Sequence, residues 1–87
     1  MKEYKFYFAV KKQHQLKSIL DLFNSYFKGY TLYNTQGYWN KISENSHIIE
    51  IINNPIPINL IRYFDKSICE LGQQTEVLIT EKEVKLI

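Results

Sequence analysis

One stretch of the sequence gathers side chains that a hydrophobic core does not require. Aromatic rings and amides run from Thr31 to Trp39, and a short polar segment then leads to Glu44, Asn45 and Ser46. Such a composition between two predicted strands is typical of a loop that binds a ligand. Ring faces and a carboxylate both attract positive charge once water is excluded, so the stretch would suit a cation.

The same residues also permit a purely structural interpretation. Tyr38 and Trp39 would then pack beneath the loop, and Glu44 would be a solvated surface charge. The residue types alone do not separate the two interpretations, and both stay open at this point.

Other kinds of chemistry lack their minimum parts in this sequence. It has no phosphate-binding glycine loop, no paired-cysteine or HExxH motif and no serine-nucleophile elbow. His14 and His47 stand far apart in the sequence without acidic neighbours, which favours surface roles over a metal site. Cys69 is best explained as a small core residue. We therefore expect neither a metal ion nor a cofactor.

Length and composition restrict the class of protein. A chain of 87 residues supports one domain, residues 1–87, and 45% hydrophobic content is ordinary for a folded protein. A net charge of +2 with scattered lysines does not predict nucleic-acid binding. The single cysteine excludes an intrachain disulfide and favours the cytoplasm, and no apolar stretch approaches the roughly 20 residues that span a membrane.

The first half of the chain predicts a strand, a helix and a second strand. Residues 4–10 alternate apolar and polar, and residues 13–28 carry an amphipathic helical stripe that we expect to end in a left-handed cap at Gly29. A second strand begins at Tyr30 and runs with an irregular end to Trp39, and the polar residues 40–45 then predict a connecting loop.

The second half predicts the remaining elements. Residues 46–52 form a third strand whose isoleucines fall on both faces, and Pro57 lies in the first turn of a helix that ends at Gly72. Residues 76–80 predict a fourth strand, with a short extra strand at 83–87. The order βαββαβ is that of an α+β, ferredoxin-like sandwich with an antiparallel sheet and two helices on one face. The pairs Ile48/Ile49 and Ile51/Ile52 would put apolar side chains on both sides of the third strand, and the apolar open face favours association into a PII-like trimer.

Four short motifs carry a family resemblance across nearly the whole chain. They are the strand of residues 4–10, the segment from Thr31 to Trp39, the triplet 44–46 and residues 74–80. Together they resemble the phage-encoded S-adenosylmethionine (SAM) lyases, once called SAM hydrolases, and the related SAM-AMP lyases. The Gly-Tyr-Trp and Gln-x-x-Val-Leu patterns are similar to those of PII-like proteins as well.

The resemblance implies particular site residues. The family's essential glutamate matches Glu44, or Glu50 in another alignment, and its substrate-contacting tyrosine matches Tyr38 or Tyr33. The resemblance places the remaining substrate contacts at Gln36, Gly37, Trp39, Ser46 and Gln74. It also implies a homotrimer with active sites between subunits.

The implied reaction is an intramolecular cyclisation. SAM, or its adenylated form SAM-AMP, would give homoserine lactone and methylthioadenosine or its AMP adduct, as a phage counter-defence against restriction or type III CRISPR signalling. The phosphate of SAM-AMP would meet Lys11, Lys12, Lys41 or Arg62. Three alternatives remain: a non-catalytic PII-like nucleotide-binding trimer, an RNA-binding module, and an inhibitor that blocks a host nuclease by contact.

Overall fold

Six elements follow one another in the order β, α, β, β, α, β. In the computed structural model, residues 1–39, 42–74 and 76–85 are described, with only the backbone for residues 39, 42 and 43. The strands are β1 (Lys2–Ala9), β2 (Thr31–Trp39), β3 (Ile42–Asn53) and β4 (Leu78–Glu83). The helices are α1 (Gln13–Tyr26) and α2 (Ile58–Gly72).

The strands form one antiparallel sheet in the order β2-β3-β1-β4. The two strands of each βαβ unit are therefore separated by one strand of the other unit: β3 lies between β1 and β2, and β1 lies between β3 and β4. This is the ferredoxin-like arrangement predicted from the sequence. Neither helix in the described part of the chain is long and apolar enough to cross a membrane.

The core lies between the sheet and the two helices. Phe6 of β1 meets Phe23 of α1 and Phe64 of α2 at ring-centroid distances of 5.0 and 5.9 Å, and all three rings are buried. Edge-to-face contacts of this kind add to the burial of apolar area. Phe6 reaches both helices because every second side chain of β1 points toward them.

The C-terminal ends of the two helices differ from the prediction, α1 in its last residue and α2 in the residue that caps it. α1 ends at Tyr26 rather than at residue 28, and Phe27 is extended, with its ring stacked on that of Phe23 at a centroid distance of 6.2 Å. Gly29 is not a left-handed cap, since no glycine has a positive φ among the described residues. α2 ends at Gly72 as predicted, but Gln73 takes the left-handed conformation, with φ 51°.

The strand bounds also differ from the prediction. Residues 42–45, predicted as loop, belong to β3, so that β2 and β3 form a long hairpin. β4 begins at Leu78 rather than Glu76, and its charged end continues to Glu83, where Lys2 of β1 pairs with Glu81 and Glu83. Val84 and Lys85 are not in a strand, and residues 86–87 lie outside the described part of the chain.

The face of the sheet opposite the helices carries no other described element. By register, Tyr33, Ile48, Tyr7 and Leu78 form a row across it. Charged side chains lie on the same face beyond this row, where Glu3 is 3.5 Å from Lys5 and 3.6 Å from Lys82. This helix-free face thus carries both apolar and charged side chains, and Ile48 and Ile52 are the isoleucines of β3 that lie on it.

The β2–β3 hairpin extends beyond the end of β1. Ala9, the last residue of β1, pairs with Ser46, while β2 and β3 stay paired as far as Trp39 and Ile42. The step from the shorter strand to the longer hairpin leaves a recess at this end of the sheet. The connection from α2 to β4 closes its other side.

Candidate functional site

The recess at the end of β1 is a groove of about 460 Å³. Ala9, Thr35, Gly37, Ser46 and Glu44 line it from the sheet, and Gln74 and Glu76 line it from the α2–β4 connection. Tyr7 and Ile48 extend it along the helix-free face. We call this space the groove.

A second depression of about 580 Å³ adjoins the groove at the tip of the sheet. Ala9, Glu44 and Gln74 line both spaces, and Lys11 lines only the second. We call the second space the end pocket. Because three residues are shared, one elongated ligand can occupy both, with Glu44 near the middle.

Gly37 sets the shape of the groove wall. It pairs directly with Glu44, and a Cβ on Gly37 would lie 2.6 Å from Ser46 Oγ and 3.7 Å from Glu44 Cγ. The first distance is too short for non-bonded atoms, so a side chain here would displace the serine hydroxyl. The glycine therefore leaves room for two polar side chains in the groove.

Gln74 joins two distant parts of the chain at the groove. Its Oε1 accepts a hydrogen bond from Ala9 N at 3.2 Å. Nearby, Gln15 is buried, accepts from Lys11 N and Lys12 N and donates to Gln73 Oε1 at 3.3 Å. These amides fix the turn before α1 against the end of α2, and so fix the mouth of the end pocket.

Tyr33 lies on the helix-free face, two residues along β2 from Thr35 of the groove. A hydrogen bond to Glu50 and the negative charge of that carboxylate raise the pKa of Tyr33. The phenol is therefore neutral at physiological pH and presents an uncharged ring to the solvent. Glu50 is thus a partner of Tyr33 and lies six residues along β3 from Glu44.

The structure divides the predicted site residues between the two faces of the sheet. Tyr33, Gly37, Ser46 and Glu44 share the helix-free face by register, and Gln74 meets them from the α2–β4 connection. Gln36 and Tyr38 alternate to the opposite face, and Tyr38 is 72% exposed, so it does not pack beneath a loop. The side chain of Trp39 lies outside the described part of the structure.

His47 was expected at the surface but is buried, at 8% exposure. Its Nδ1 lies 2.8 Å from Asn34 Oδ1 across the hairpin, and its ring is 5.6 Å from that of Phe8. Burial lowers the pKa of His47. The signal in the sequence was its position: it is two residues before Ile49, on the core-facing side of β3.

Sequence reasoning also missed contributors to the groove. Tyr7 and Ala9 line it, although nothing in their types distinguishes them from ordinary strand residues. Their signal was positional, since both alternate with residues that face the helices. Alternation in β1 therefore predicts the face, but not which end of the strand meets the groove.

The basic residues proposed for a phosphate are spread over the molecule. Lys11 lines the end pocket, and both Lys11 and Lys12 line a small cavity beside His47. Arg62 lies ten residues before Gly72 in α2, about 15 Å away along the helix axis. Lys41 lies outside the described residues.

Comparison with known proteins supports the fold alone. The chain matches no protein-family profile and no curated protein sequence. A phage SAM lyase in its apo state superposes with a TM-score of 0.69 at 13% identity, covering 93% of this chain and 78% of the other. A DUF3240 family protein from Shewanella baltica OS155 gives 0.64 at 12% identity, with coverages of 99% and 92%. The de novo designed protein Foldit4 gives 0.58 at 14% identity, covering 97% and 96%.

These similarities define the chain as an α+β protein of ferredoxin-like architecture. A phage SAM lyase and a designed protein both share that architecture with it. Since one fold hosts many activities, function has to be argued from the groove.

Proposed function

We propose that the chain is a lyase that cleaves SAM or SAM-AMP, with the sulfonium nucleotide bound in the groove and the end pocket. The observation that carries the proposal is the register of β2 and β3, which brings Glu44 and Tyr33 to one face with the groove between them. The fold shared with a phage SAM lyase supports it.

The reaction needs positioning more than proton transfer. A carboxylate oxygen of the substrate attacks its own γ-carbon, the bond from that carbon to sulfur breaks, and sulfur keeps the electron pair. Carboxylate and sulfonium thus become a neutral lactone and a neutral thioether. Holding the arm in a curled, in-line conformation accelerates such a step by the proximity effect.

Glu44 is the proposed catalytic residue. Its carboxylate faces the α-ammonium and the sulfonium, and so holds both ends of the methionine arm at one point. Of the two tyrosines that the resemblance offers as substrate contacts, we propose Tyr33, because Tyr33 shares the face of Glu44 and Tyr38 does not. Its ring would line the nucleoside. Ser46 and Gln74 supply polar contacts between them.

The proposal includes association of several copies of the chain. The row of Tyr33, Ile48, Tyr7 and Leu78 is apolar, and Leu78 is 60% exposed in the isolated protomer. A second copy laid on this face would exclude water from the groove and strengthen the interactions of Glu44 with a cation. A homotrimer in the host cytoplasm, acting against restriction or CRISPR signalling, is the form we propose.

The test is product analysis by chromatography. The purified protein is incubated with SAM and with SAM-AMP, and methylthioadenosine or its adenylated form is the expected product. Glu44→Gln keeps the size of the side chain and removes the charge, so it should lower turnover by at least about 100-fold while leaving the urea midpoint unchanged. Unchanged turnover in Glu44→Gln would contradict the role of this residue.

Two other outcomes would identify a different function. Binding of the nucleotide without any product would indicate the non-catalytic PII-like alternative. Absence of both binding and product would overturn the proposal.

A further inference from the structure

The two edges of the sheet are protected to different degrees. β2 and β4 are the edge strands, and each has one side without a neighbouring strand in the described part of the chain. Half of the six residues of β4 are charged, namely Glu81, Lys82 and Glu83. β2 is longer, with nine residues, and its sequence contains neither a charge nor a proline. Charged side chains and prolines keep an edge strand from pairing with another chain, so β4 is protected and β2 is open to pairing.

β2 is complementary to itself when two copies pair antiparallel. Thr35 is the middle residue of the strand, so a two-fold axis at Thr35 places every residue of β2 opposite a residue of the second copy. On the helix-free face, Thr35 then meets the partner's Thr35, and Tyr33 meets the partner's Gly37. Threonine pairs are favourable cross-strand neighbours, and an aromatic ring compensates for a glycine in an edge strand. The pairs on this face thus favour the two-fold arrangement.

The same register matches side chains on the helix-bearing face. Tyr38 is 72% exposed in the isolated protomer, and it would lie opposite the partner's Leu32. An aromatic ring beside an aliphatic side chain removes apolar area from water. Asn34 would lie opposite the partner's Gln36, and two side-chain amides can donate to and accept from each other. The pairing therefore accounts for the exposed ring of Tyr38, which the groove does not use.

We infer that two copies of the chain associate through β2, antiparallel and with Thr35 on the two-fold axis. The strands of both copies then form one continuous sheet, with the two helix-free faces on the same side. Thr35 and Gly37 line the groove, so the second copy continues the groove wall and brings the partner's Tyr33 beside Gly37. This contact uses the edge of the sheet rather than the helix-free face. It therefore does not depend on the lyase or on the homotrimer, and it can form in addition to the three-fold contact.

Charge substitutions at the two-fold axis test the pairing. Thr35→Lys places two positive charges directly opposite each other, and Thr35→Glu two negative ones, so each should weaken association through β2 at least about tenfold. Mixing the two variants places a lysine opposite a glutamate and should restore the pairs. Thr80→Lys makes the same change on the other edge strand and should still form pairs. Sedimentation equilibrium measures the number of copies, and urea unfolding verifies that each variant is folded.

Cysteine variants in a Cys69→Ser background report the register. Thr35→Cys should form a disulfide-linked dimer on oxidation, because opposite residues of antiparallel strands have Cα atoms about 4.5–5.5 Å apart. Thr31→Cys is the control and should not, because its two copies would lie about 27 Å apart along the paired strands. A wild-type protein with one or three copies, or no recovery of pairs on mixing the charged variants, would overturn the inference. Neither result bears on the lyase, which product analysis tests separately.

Discussion

Tyr33 and Glu44 project from the same face of the sheet, Tyr33 opposite Ile48 and Glu44 opposite Gly37. Four residue positions along β2 separate the two pairs, a distance of about 13 Å. A nucleoside with an amino acid arm can span this length. Side chains along β2 alternate between the two faces, so Tyr38, five positions after Tyr33, projects from the opposite face.

The two tyrosines of β2 provide a matched pair of variants. Tyr33→Ala should raise KM for the nucleotide roughly 10- to 100-fold, because stacking of a base on an aromatic ring is worth about 1–3 kcal/mol. Tyr38→Ala should change KM by less than about twofold, although Tyr38 is the more exposed ring. Steady-state kinetics on both variants measures the difference. A large effect of Tyr38→Ala with none of Tyr33→Ala would place the nucleoside on the helix-bearing face.

The close approach of Gly37 to Ser46 predicts an interaction between two substitutions. Gly37→Ala should destabilise the fold by about 1–2 kcal/mol, because its Cβ would lie 2.6 Å from Ser46 Oγ. In a Ser46→Ala background the obstructing oxygen is absent, so most of that cost should disappear. Urea unfolding of the two single variants and the double variant gives the coupling energy. Strictly additive free energies would mean that the hairpin relieves the contact in another way.

The buried His47 predicts a dependence of stability on pH. Its pKa is lowered by burial, so the unfolded chain binds the proton more tightly than the folded one. Stability should therefore be complete above the unfolded pKa of about 6.5 and should fall as pH decreases from there toward the folded pKa. Urea unfolding at a series of pH values measures the slope.

Two histidine variants separate this effect from general acid destabilisation. His47→Gln should remove the part of the slope near pH 6 that belongs to the imidazole. His14→Gln should leave it intact, because His14 is exposed at the start of α1. If the His47→Gln profile matches that of the wild type, the slope has another origin.

A buried hydroxyl holds the segment before α2. Ile56 N donates to Tyr4 Oη at 2.7 Å, and both residues are buried. Tyr4→Phe keeps the ring but leaves the N–H of Ile56 without its acceptor, so it should cost about 1–3 kcal/mol of unfolding free energy. Tyr7→Phe, on the opposite face of the same strand, is the control and should cost less than about 0.5 kcal/mol. Equal costs would mean that water replaces the lost acceptor at Ile56.

Periodicity was enough to predict the elements that bury a face. β1, α1 and α2 each carry an apolar stripe, and the order of elements together with right-handed crossovers leaves few other sheets. The pattern also predicted that β3 carries isoleucines on both faces, as Ile48 and Ile49 do. The pattern does not reveal which other parts of the chain contact the ends of the strands.

The hairpin and the site depended on information that periodicity does not contain. Residues 42–45 extend past β1, and residues such as Ser43, Glu44 and Asn45 have no apolar alternation to mark them as strand. Gln74 was predicted from family resemblance, whereas its position depends on the hydrogen bond from Ala9 N and on the space that Gly72 leaves for its amide. The contact between Ala9 and Gln74 joins parts of the chain more than 60 positions apart, and only coordinates reveal it.

The left-handed turn at Gln73 has a consequence for how this sequence can diverge. It redirects the chain within one residue, from the last turn of α2 to an amide bonded at the tip of β1. An inserted or deleted residue between Gly72 and Gln74 would rotate that amide away from Ala9, whereas the sheet register would survive. Homologues should therefore vary in length elsewhere and keep this corner constant.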